Sequence, residues 1–144
     1  MPAPVLFFYN QRMSGKNEKK KVLIVEDSKM SKHVLQVSVE RLGFIPIIAS
    51  DGQEALQLLE ENKDLVIVLS DLKMPNLDGF ELLQEVRKQE SFKKLPFIII
   101  TSDKDRCDEA RKLGANGYLP KPATWDKIKA LFYILFPDYV KESE

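Results

Sequence analysis

Cysteine is almost absent from this 144-residue sequence, which contains Cys107 alone. A single cysteine excludes a disulfide bond within the chain and is typical of proteins from reducing compartments. No second cysteine and no activating cluster accompany it, so we expect no redox role for Cys107. The first residues also lack the basic flank and cleavage site of a secretory signal, and we therefore expect a cytoplasmic protein.

An excess of charge of either sign is missing too, because 22 basic residues balance 22 acidic residues. Composition therefore gives no electrostatic reason to expect binding to nucleic acid or to a membrane surface. The apolar runs are short, well below the roughly 20 residues that a membrane-spanning helix requires. We expect no direct nucleic-acid partner and no membrane partner.

Hydrophobic residues, in contrast, are plentiful at 44% of the sequence, which suits one domain with a single core. The first residues differ from the rest, because an apolar patch at residues 5–9 is followed by a polar, charged stretch typical of a linker. We predict an N-terminal extension at residues 1–20, one domain at residues 21–137 and a short tail at residues 138–144.

Strand-like and helix-like segments alternate from Val22 onward. Apolar runs predict strands at 21–26, 44–49, 65–71, 95–101 and 117–119. Apolar residues at three- and four-residue spacing predict helices at 29–42, 52–61, 79–89, 105–113 and 124–136. This alternation predicts an α/β fold, a doubly wound five-stranded parallel sheet in the flavodoxin-like order 2-1-3-4-5 with five helices.

Four of the predicted strands end in groups suited to binding a phosphate or a metal ion. Glu26 and Asp27 follow the first strand, Asp71 ends the third, Thr101 ends the fourth and Lys121 follows the fifth. Ligands of open α/β folds bind outside the carboxyl ends of the strands, so all of these groups are expected at one edge. The sequence therefore predicts a phosphoryl and metal site there.

The three carboxylates would repel each other at this edge unless a cation binds between them. Two unit charges about 4 Å apart repel by roughly 4 kcal/mol at an effective dielectric constant near 20. Mg2+ prefers such hard oxygen ligands and keeps several waters. A carboxylate can also attack phosphorus, while an ammonium group and a hydroxyl neutralise the transferring oxygens.

Four stretches of the sequence carry a known family pattern: 22–28 (VLIVEDS), 70–79 (SDLKMPNLDG), 98–102 (IIITS) and 114–122 (GANGYLPKP). Through them, the chain from Lys21 to about Pro137 resembles the response-regulator receiver domains of two-component signalling. The resemblance implies that Asp71 is the phosphoacceptor and that Lys121 contacts the phosphoryl group. It also implies that Glu26, Asp27, Asp71 and the backbone carbonyl of Lys73 hold Mg2+.

The same resemblance implies a switch made of Thr101 and Tyr118, in which the hydroxyl moves to the phosphoryl group and the ring turns inward. The Lys121-Pro122 peptide bond is expected to be cis, an isomer accessible before proline. Glu26 departs mildly from the family, since many receivers have aspartate there. Lys73 and Asp103, two residues after Asp71 and Thr101, are expected to flank the path of the attacking water. Two roles stay open, an ion pair between them that slows hydrolysis or orientation of the water by Asp103, and we favour the first.

The implied function is a phosphorylation-dependent switch and not an enzyme. It would accept a phosphoryl group on Asp71 from a histidine kinase or histidine phosphotransfer protein, using Mg2+. The surface of the fourth helix, fifth strand and fifth helix would then control a downstream effector or form a self-dimer. No DNA-binding, kinase or cyclase motif occurs in residues 138–144, so we expect the output to go through this surface.

Three other functions share part of this sequence pattern. An aspartate-nucleophile phosphatase needs a second acid two residues after its nucleophile, where this sequence has Lys73. A flavodoxin-like mononucleotide binder needs a neutral phosphate loop after the first strand, where Glu26 and Asp27 would repel the phosphate. An interaction module of the same fold that does not depend on phosphorylation stays open, although the intact Asp71, Thr101 and Lys121 argue against it.

Overall fold

The computed structural model of the protein describes residues 19–140. Its strands are β1 (Lys21–Val25), β2 (Ile45–Ala49), β3 (Leu65–Asp71), β4 (Phe97–Thr101) and β5 (Gly117–Pro120). Its α-helices are α1 (Lys29–Arg41), α2 (Gly52–Glu61), α3 (Gly79–Lys88), α4 (Cys107–Lys112) and α5 (Trp125–Leu135). Short 3-10 turns at Glu90–Phe92 and Lys104–Arg106 precede β4 and α4.

The strands form one parallel sheet in the order β2-β1-β3-β4-β5. This confirms the predicted α/β fold class and strand order. All seven residues of β3 are buried, as are all five of β4, because helices cover both faces of the sheet. The parallel arrangement places the carboxyl ends of the strands along a single edge.

The two faces of the sheet pack against different helices. On one face, buried strand residues such as Val68 and Phe97 pack with Leu59 of α2 and Leu82 of α3. On the other face, the packed residues come from α1, α5 and the strands: Val22, Ile24, Leu35, Val39, Ile67, Leu69, Ile98, Ile100, Ile128 and Phe132. No helix among residues 19–140 has both the length and the apolar character needed to cross a membrane.

All predicted boundaries agree with the structure within two residues, and the largest change in length is in α4, which has six residues where the sequence predicts a helix at 105–113. The Asp103 carboxylate accepts a hydrogen bond from the Asp105 N–H at 3.1 Å, and this contact starts a 3-10 turn instead of a regular helix. At the other end, Gly114 has a φ of 108°, which terminates the helix. Only six residues of regular α-helix remain between them.

The first and last described segments meet at the amino end of the sheet. The Lys20 N–H donates to the Tyr139 hydroxyl at 3.1 Å, and the Ile45 N–H donates to the Lys20 carbonyl at 2.8 Å. Tyr139 packs edge-on against Phe44, with 5.0 Å between the ring centroids. Residues 1–18 and 141–144, which include most of the predicted extension and tail, lie outside the described residues, so those domain boundaries stay predictions.

Candidate functional site

The carboxyl edge of the sheet brings together the residues that the sequence points to. Carboxylate oxygens of Glu26, Asp27 and Asp71 all lie within 4.8 Å of one another. The Lys121 ammonium lies 3.0 Å from Asp71 Oδ1 and 3.6 Å from Glu26 Oε1. Thr101 lines the same cavity as Asp71 and Lys121. The predicted clustering at this edge is therefore present in the structure.

Asp71 is the last residue of β3 and is only 6% exposed. Its Oδ1 accepts a hydrogen bond from the Leu72 N–H at 2.8 Å as well as the contact from Lys121. The first residue of α3, Gly79, packs directly against this strand end, and a Cβ there would lie 2.5 Å from the Asp71 carbonyl oxygen. Glycine at this position therefore allows α3 to begin beside the acceptor.

Glu26 follows β1 and is 1% exposed. Its Oε2 accepts the Ser28 N–H at 3.1 Å, whereas Oε1 is buried and has no hydrogen-bond partner among the described residues. Burial raises the pKa of this carboxyl above its ordinary value, and the negative charge of Asp71 adds to the effect. The Ser28 N–H and the Lys121 charge oppose it only in part, so the charged form of Glu26 is poorly stabilised.

Lys121 stands directly after β5, and its N–H donates to the Thr101 carbonyl at 3.1 Å. The Lys121-Pro122 bond is cis, as predicted. Burial alone would lower the pKa of the Lys121 ammonium, but the hydrogen bonds and charges of Asp71 and Glu26 outweigh burial and raise it. Lys121 is therefore a permanent positive charge in this edge at neutral pH.

These groups fit a divalent cation. Three carboxylates share one corner, one of them with an orphaned buried oxygen, and a single lysine does not balance them. Hard carboxylate oxygens are the ligands that Mg2+ prefers, and the exposure of Asp27 leaves room for the waters that it retains. Glu26, Asp27 and Asp71 are the residues that would hold it, while the role of the Lys73 carbonyl stays a prediction.

A cavity of about 370 Å³ opens above Asp71. Its lining residues are Asp71, Lys73, Thr101, Ser102, Asp103 and Lys121. The walls thus carry two ammonium groups and two hydroxyls around a buried carboxylate. Such a set of donors suits an anionic group attached to Asp71, because cations and hydroxyl donors stabilise phosphoryl oxygens.

The two predicted switch residues occupy different places. Thr101 is 6% exposed, and its Oγ1 accepts a hydrogen bond from the Asp103 N–H at 3.0 Å, which leaves the hydroxyl proton available to donate to another acceptor. Tyr118 is 37% exposed on the edge strand β5, outside the cavity that Asp71 lines. A cleft of about 20 Å³, lined partly by Ala110 and Ala115, lies beside Tyr118.

Two contacts differ from what the sequence suggests. No ion pair within 4.0 Å joins Lys73 to Asp103 in the described part of the chain, because Asp103 caps the following 3-10 turn instead. The sequence pattern also does not point to Lys127, whose Nζ contacts the Pro120 and Pro122 carbonyl oxygens on either side of Lys121. Its position in the first turn of a helix, where acidic residues are favoured, is the only hint that the sequence offers.

Known proteins match this chain in sequence and in structure. Residues 22–133 match the family model of the response regulator receiver domain. The probable chemotaxis protein CheY of Rhizobium etli is 41% identical over 122 residues, which cover 83% of this chain and 94% of that protein. The chemotaxis response regulator CheY4 of Vibrio cholerae superposes with a TM-score of 0.77 at 27% identity, over 83% of this chain and all of that one (100%).

A second similar structure is the receiver domain of the sensor histidine kinase PA1611 from Pseudomonas aeruginosa, which was solved with a magnesium ion coordinated in its active site cleft. It has a TM-score of 0.75 and 25% identity, and the match covers 84% of this chain and 100% of that one. The matched family segment contains all five strands except Lys21, the first residue of β1, and every residue of the edge described above. The chain therefore belongs to the response-regulator receiver domain family of two-component signal transduction.

Proposed function

We propose that this receiver domain is a phosphorylation-dependent switch that accepts a phosphoryl group on Asp71 with the help of Mg2+. The observation that carries the proposal is the pairing of a nearly buried Asp71 carboxylate with the Lys121 ammonium at 3.0 Å, beneath a cavity lined by phosphate-binding groups. The family supplies the context, since receiver domains act in two-component signalling. The protein is a signalling component and not a turnover enzyme.

The proposed transfer uses Asp71 as a nucleophile. A carboxylate oxygen forms a new bond to phosphorus while the bond between phosphorus and the donor breaks, and the donor keeps the electron pair. With a phosphohistidine of a histidine kinase or histidine phosphotransfer protein, the released imidazole then takes up a proton from water. Lys121 and the Thr101 hydroxyl are placed around the cavity to neutralise the phosphoryl oxygens.

Mg2+ would be held by the carboxylates of Glu26, Asp27 and Asp71, with the Lys73 carbonyl as a further ligand. The ion supplies positive charge to the oxygens of the group in transfer. Without it, Lys121 is the basic side chain within 4.0 Å of Asp71 and Glu26 among the described residues. The phosphoryl group adds negative charge to an already acidic corner, so we expect metal binding to be required for efficient acceptance.

The output would pass from Thr101 to Tyr118 and then to the α4-β5-α5 surface. In this proposal, Thr101 moves toward the phosphoryl group and the exposed ring of Tyr118 turns inward behind it. Two further apolar side chains of α5 are exposed, Tyr133 at 40% and Ile134 at 74%. A downstream effector or a second copy of the chain would read the change at this surface.

The test is labelling with acetyl phosphate and Mg2+, read by intact mass and by the base lability of the adduct. Asp71→Asn keeps the shape but removes the nucleophilic oxygen, so we expect it to abolish labelling. Asp27→Asn keeps the acceptor but removes a metal ligand, so we expect it to shift the Mg2+ dependence to higher concentration. Labelling that survives Asp71→Asn would refute the assignment, and partner binding that is equal in parent and Asp71→Asn would favour a phosphorylation-independent module.

A further inference from the structure

The segment that carries Lys121 has few backbone hydrogen bonds of its own. Pro120 and Pro122 flank Lys121, and proline has no N–H to donate. The Lys121 N–H, which bonds to the Thr101 carbonyl, is therefore the sole backbone donor between residues 120 and 122. A loop with so few donors needs anchoring through its carbonyl groups if its lysine is to stay in one place.

The Pro120 carbonyl in particular cannot be satisfied by the sheet. β5 is the edge strand next to β4, and Lys121 directs its N–H toward β4. Successive residues of a strand direct their backbone polar groups to opposite sides, so the Pro120 carbonyl faces outward, where no further strand of residues 19–140 lies. This outward carbonyl is one of the two oxygens that Lys127 contacts.

Lys127 bridges the loop from the following helix. Its Nζ donates to the Pro120 carbonyl at 3.2 Å and to the Pro122 carbonyl at 3.0 Å. One ammonium group thus contacts the carbonyl oxygens of both prolines that flank Lys121. The Pro122 carbonyl also accepts the Thr124 N–H at 3.0 Å, so the two contacts tie the loop to the start of α5.

The position of Lys127 does not favour the helix itself. It is the third residue of α5, within the first turn, where the positive end of the helix dipole disfavours a cation. The N-cap residue Thr124 makes no side-chain capping hydrogen bond, whereas the Lys127 side chain bonds this helix start to the loop. The presence of a lysine at this position is therefore better explained by its contacts with the Pro120 and Pro122 carbonyls than by a contribution to helix stability.

We propose that Lys127 is a positioning residue for phosphoryl acceptance, which holds the Lys121 loop so that the Lys121 ammonium stays beside Asp71. Lys127 touches neither Asp71 nor the cavity that Asp71 lines. Its action runs through the two carbonyls and then through Lys121, whose Nζ lies 3.0 Å from Asp71 Oδ1. The inference rests on the proposed function, because it assumes that Lys121 serves the phosphoryl group.

Loss of the two contacts has a defined consequence. Without them, the outward Pro120 carbonyl is left to water and the loop has only its single backbone donor, so the Lys121 ammonium spends less time in place. Transition-state stabilisation by a charged group depends on its being fixed beforehand. We expect the rate of labelling by acetyl phosphate at saturating Mg2+ to fall about three- to tenfold in Lys127→Met, where tenfold corresponds to about 1.4 kcal/mol.

The experiment compares three single variants. Lys127→Met keeps the side-chain length and removes the donors, while Lys127→Arg keeps a cation with several donors and is expected to restore most of the rate. Lys88→Met is the matched control, because Lys88 is an exposed helix lysine that pairs with Glu85 on α3, away from the edge. It should label at the parent rate. A parent-like rate in Lys127→Met would overturn the proposal.

A double-mutant cycle separates positioning from general damage. If Lys127 acts through Lys121, Lys127→Met should cause no further loss in a Lys121→Met background, and the two effects should be strongly non-additive. If Lys127→Met lowers the labelling rate by the same factor in the parent and in Lys121→Met, the proposal is overturned, since a merely structural effect would be additive. Unfolding midpoints of all variants check that each protein is folded.

A second measurement does not depend on labelling. Backbone order parameters from 15N relaxation should fall at Lys121 and Ala123 in Lys127→Met and stay at parent values in Lys88→Met. Unchanged order parameters would overturn the positioning role even if the parent is never labelled. Conversely, absence of labelling in the parent, with the expected loss of order in Lys127→Met, would reject the proposed function of Asp71 and keep the structural link between Lys127 and Lys121.

Discussion

At the carboxyl end of β1, Glu26 is a carboxylate that the surrounding protein does not fully accommodate. It is 1% exposed, its Oε1 has no hydrogen-bond partner among the described residues, and Asp71 lies beside it. Burial raises its pKa, which means that the folded protein disfavours the charged form. This environment lowers the stability of the metal-free folded protein. It also favours cation binding, because the Oε1 atom of Glu26 can then act as a metal ligand.

Replacement of Glu26 by glutamine should separate these two effects. Glu26→Gln keeps an oxygen for the Ser28 N–H and removes the buried charge. We expect the free energy of unfolding without metal to rise by about 1 kcal/mol, because the loss of a buried charge and of its repulsion from Asp71 outweighs the loss of the 3.6 Å contact with Lys121. Mg2+ affinity should fall roughly tenfold, because a hard anionic ligand is lost. Urea denaturation and isothermal titration with Mg2+ measure the two quantities.

Asp27→Asn is the matched control, because it removes the same charge from an exposed position. Its metal-free stability should stay within about 0.5 kcal/mol of the parent, as for most surface substitutions. Its Mg2+ affinity should still fall. Loss of stability in Glu26→Gln without metal would contradict the view that the buried charge is unfavourable.

Lys73 and Asp103 line the cavity but form no ion pair with each other among the described residues, so we expect them to influence phosphoryl lifetime separately. Even an ion pair between exposed charges contributes only about 0.2–1 kcal/mol, and we expect a single unpaired side chain at the mouth of the cavity to contribute no more. Lys73→Ala and Asp103→Ala should each speed loss of the phosphoryl group by less than about tenfold, since 1.4 kcal/mol is needed for that factor. The decay of phosphorylated protein in Mg2+ buffer is the measurement.

The direction of the Asp103→Ala effect decides between two roles. Faster decay agrees with a carboxylate that obstructs the approach of water to the phosphoryl group. Slower decay would mean that Asp103 orients the attacking water. A change well beyond tenfold in either variant would mean direct contact with the phosphoryl group.

Among the elements, α5 has one face that packs in the core and another that is exposed to solvent. Its Phe132 is fully buried at 0% exposure and contacts Phe44 edge-on, with 5.0 Å between centroids. Two residues later, Ile134 is 74% exposed. The sequence predicts both placements, since Phe132 lies on the apolar face defined by helical spacing and Ile134 does not.

Alanine at these two positions should have very different costs. Phe132→Ala should lower the free energy of unfolding by about 3–5 kcal/mol, because it leaves a cavity between α1, α5 and the sheet. Ile134→Ala should change it by less than about 0.5 kcal/mol. Urea denaturation midpoints report both, and a cost at Ile134 similar to that at Phe132 would show that Ile134 is covered in solution.

The elements also show what the sequence predicts and what it does not. β3 and α2 are predicted with their observed bounds, because β3 is a continuous apolar run and α2 is bounded by Asp51 and Asn62. The turn before α4 could not be predicted, because it depends on one hydrogen bond of the Asp103 carboxylate. Periodicity describes where apolar residues repeat, and it carries no information about such single polar contacts.

At the site, too, the positions of strand ends can be predicted from the sequence, whereas single side-chain contacts cannot. Strand ends place Asp71, Thr101 and Lys121 at one edge, and parallel topology makes this predictable. The Lys127 contacts and the orphaned Glu26 oxygen depend on side-chain geometry that only the folded chain defines. The switch role of Tyr118 comes from the family resemblance alone. Its ring is exposed in the structure, so the inward turn stays a prediction.

At the scale of the whole molecule, the large apolar side chains that are exposed among residues 19–140 lie on two parts of the fold. One set lies on α1, at Met30, Val34 and Val37, and the other on β5 and α5, at Tyr118, Tyr133 and Ile134. The apolar patch at residues 5–9 lies outside the described residues. We predict that this patch covers or extends one of the exposed sets, so its removal should change self-association or kinase affinity.

Deletion of residues 1–18 tests this and keeps Lys20, which bonds to Ile45 and Tyr139. Light scattering of the full and shortened proteins, with and without acetyl phosphate, gives their masses against 16.6 kDa for one full chain. If residues 1–18 form part of an interface between copies, the mass in solution should fall after their deletion. If they cover such an interface, the mass should rise. Identical masses and kinase affinities in every state would end the idea.

The meeting of Lys20 and Tyr139 has a consequence for engineering. The first and last described segments are adjacent at the amino end of the sheet, about one strand length from Asp71 at the opposite edge. A short linker between them would close the backbone into a ring, which could be reopened at the exposed Lys93–Lys94 position before β4. A reporter inserted at that opening would be joined to the strand that ends at Thr101, and so would be coupled to the residue proposed to respond first.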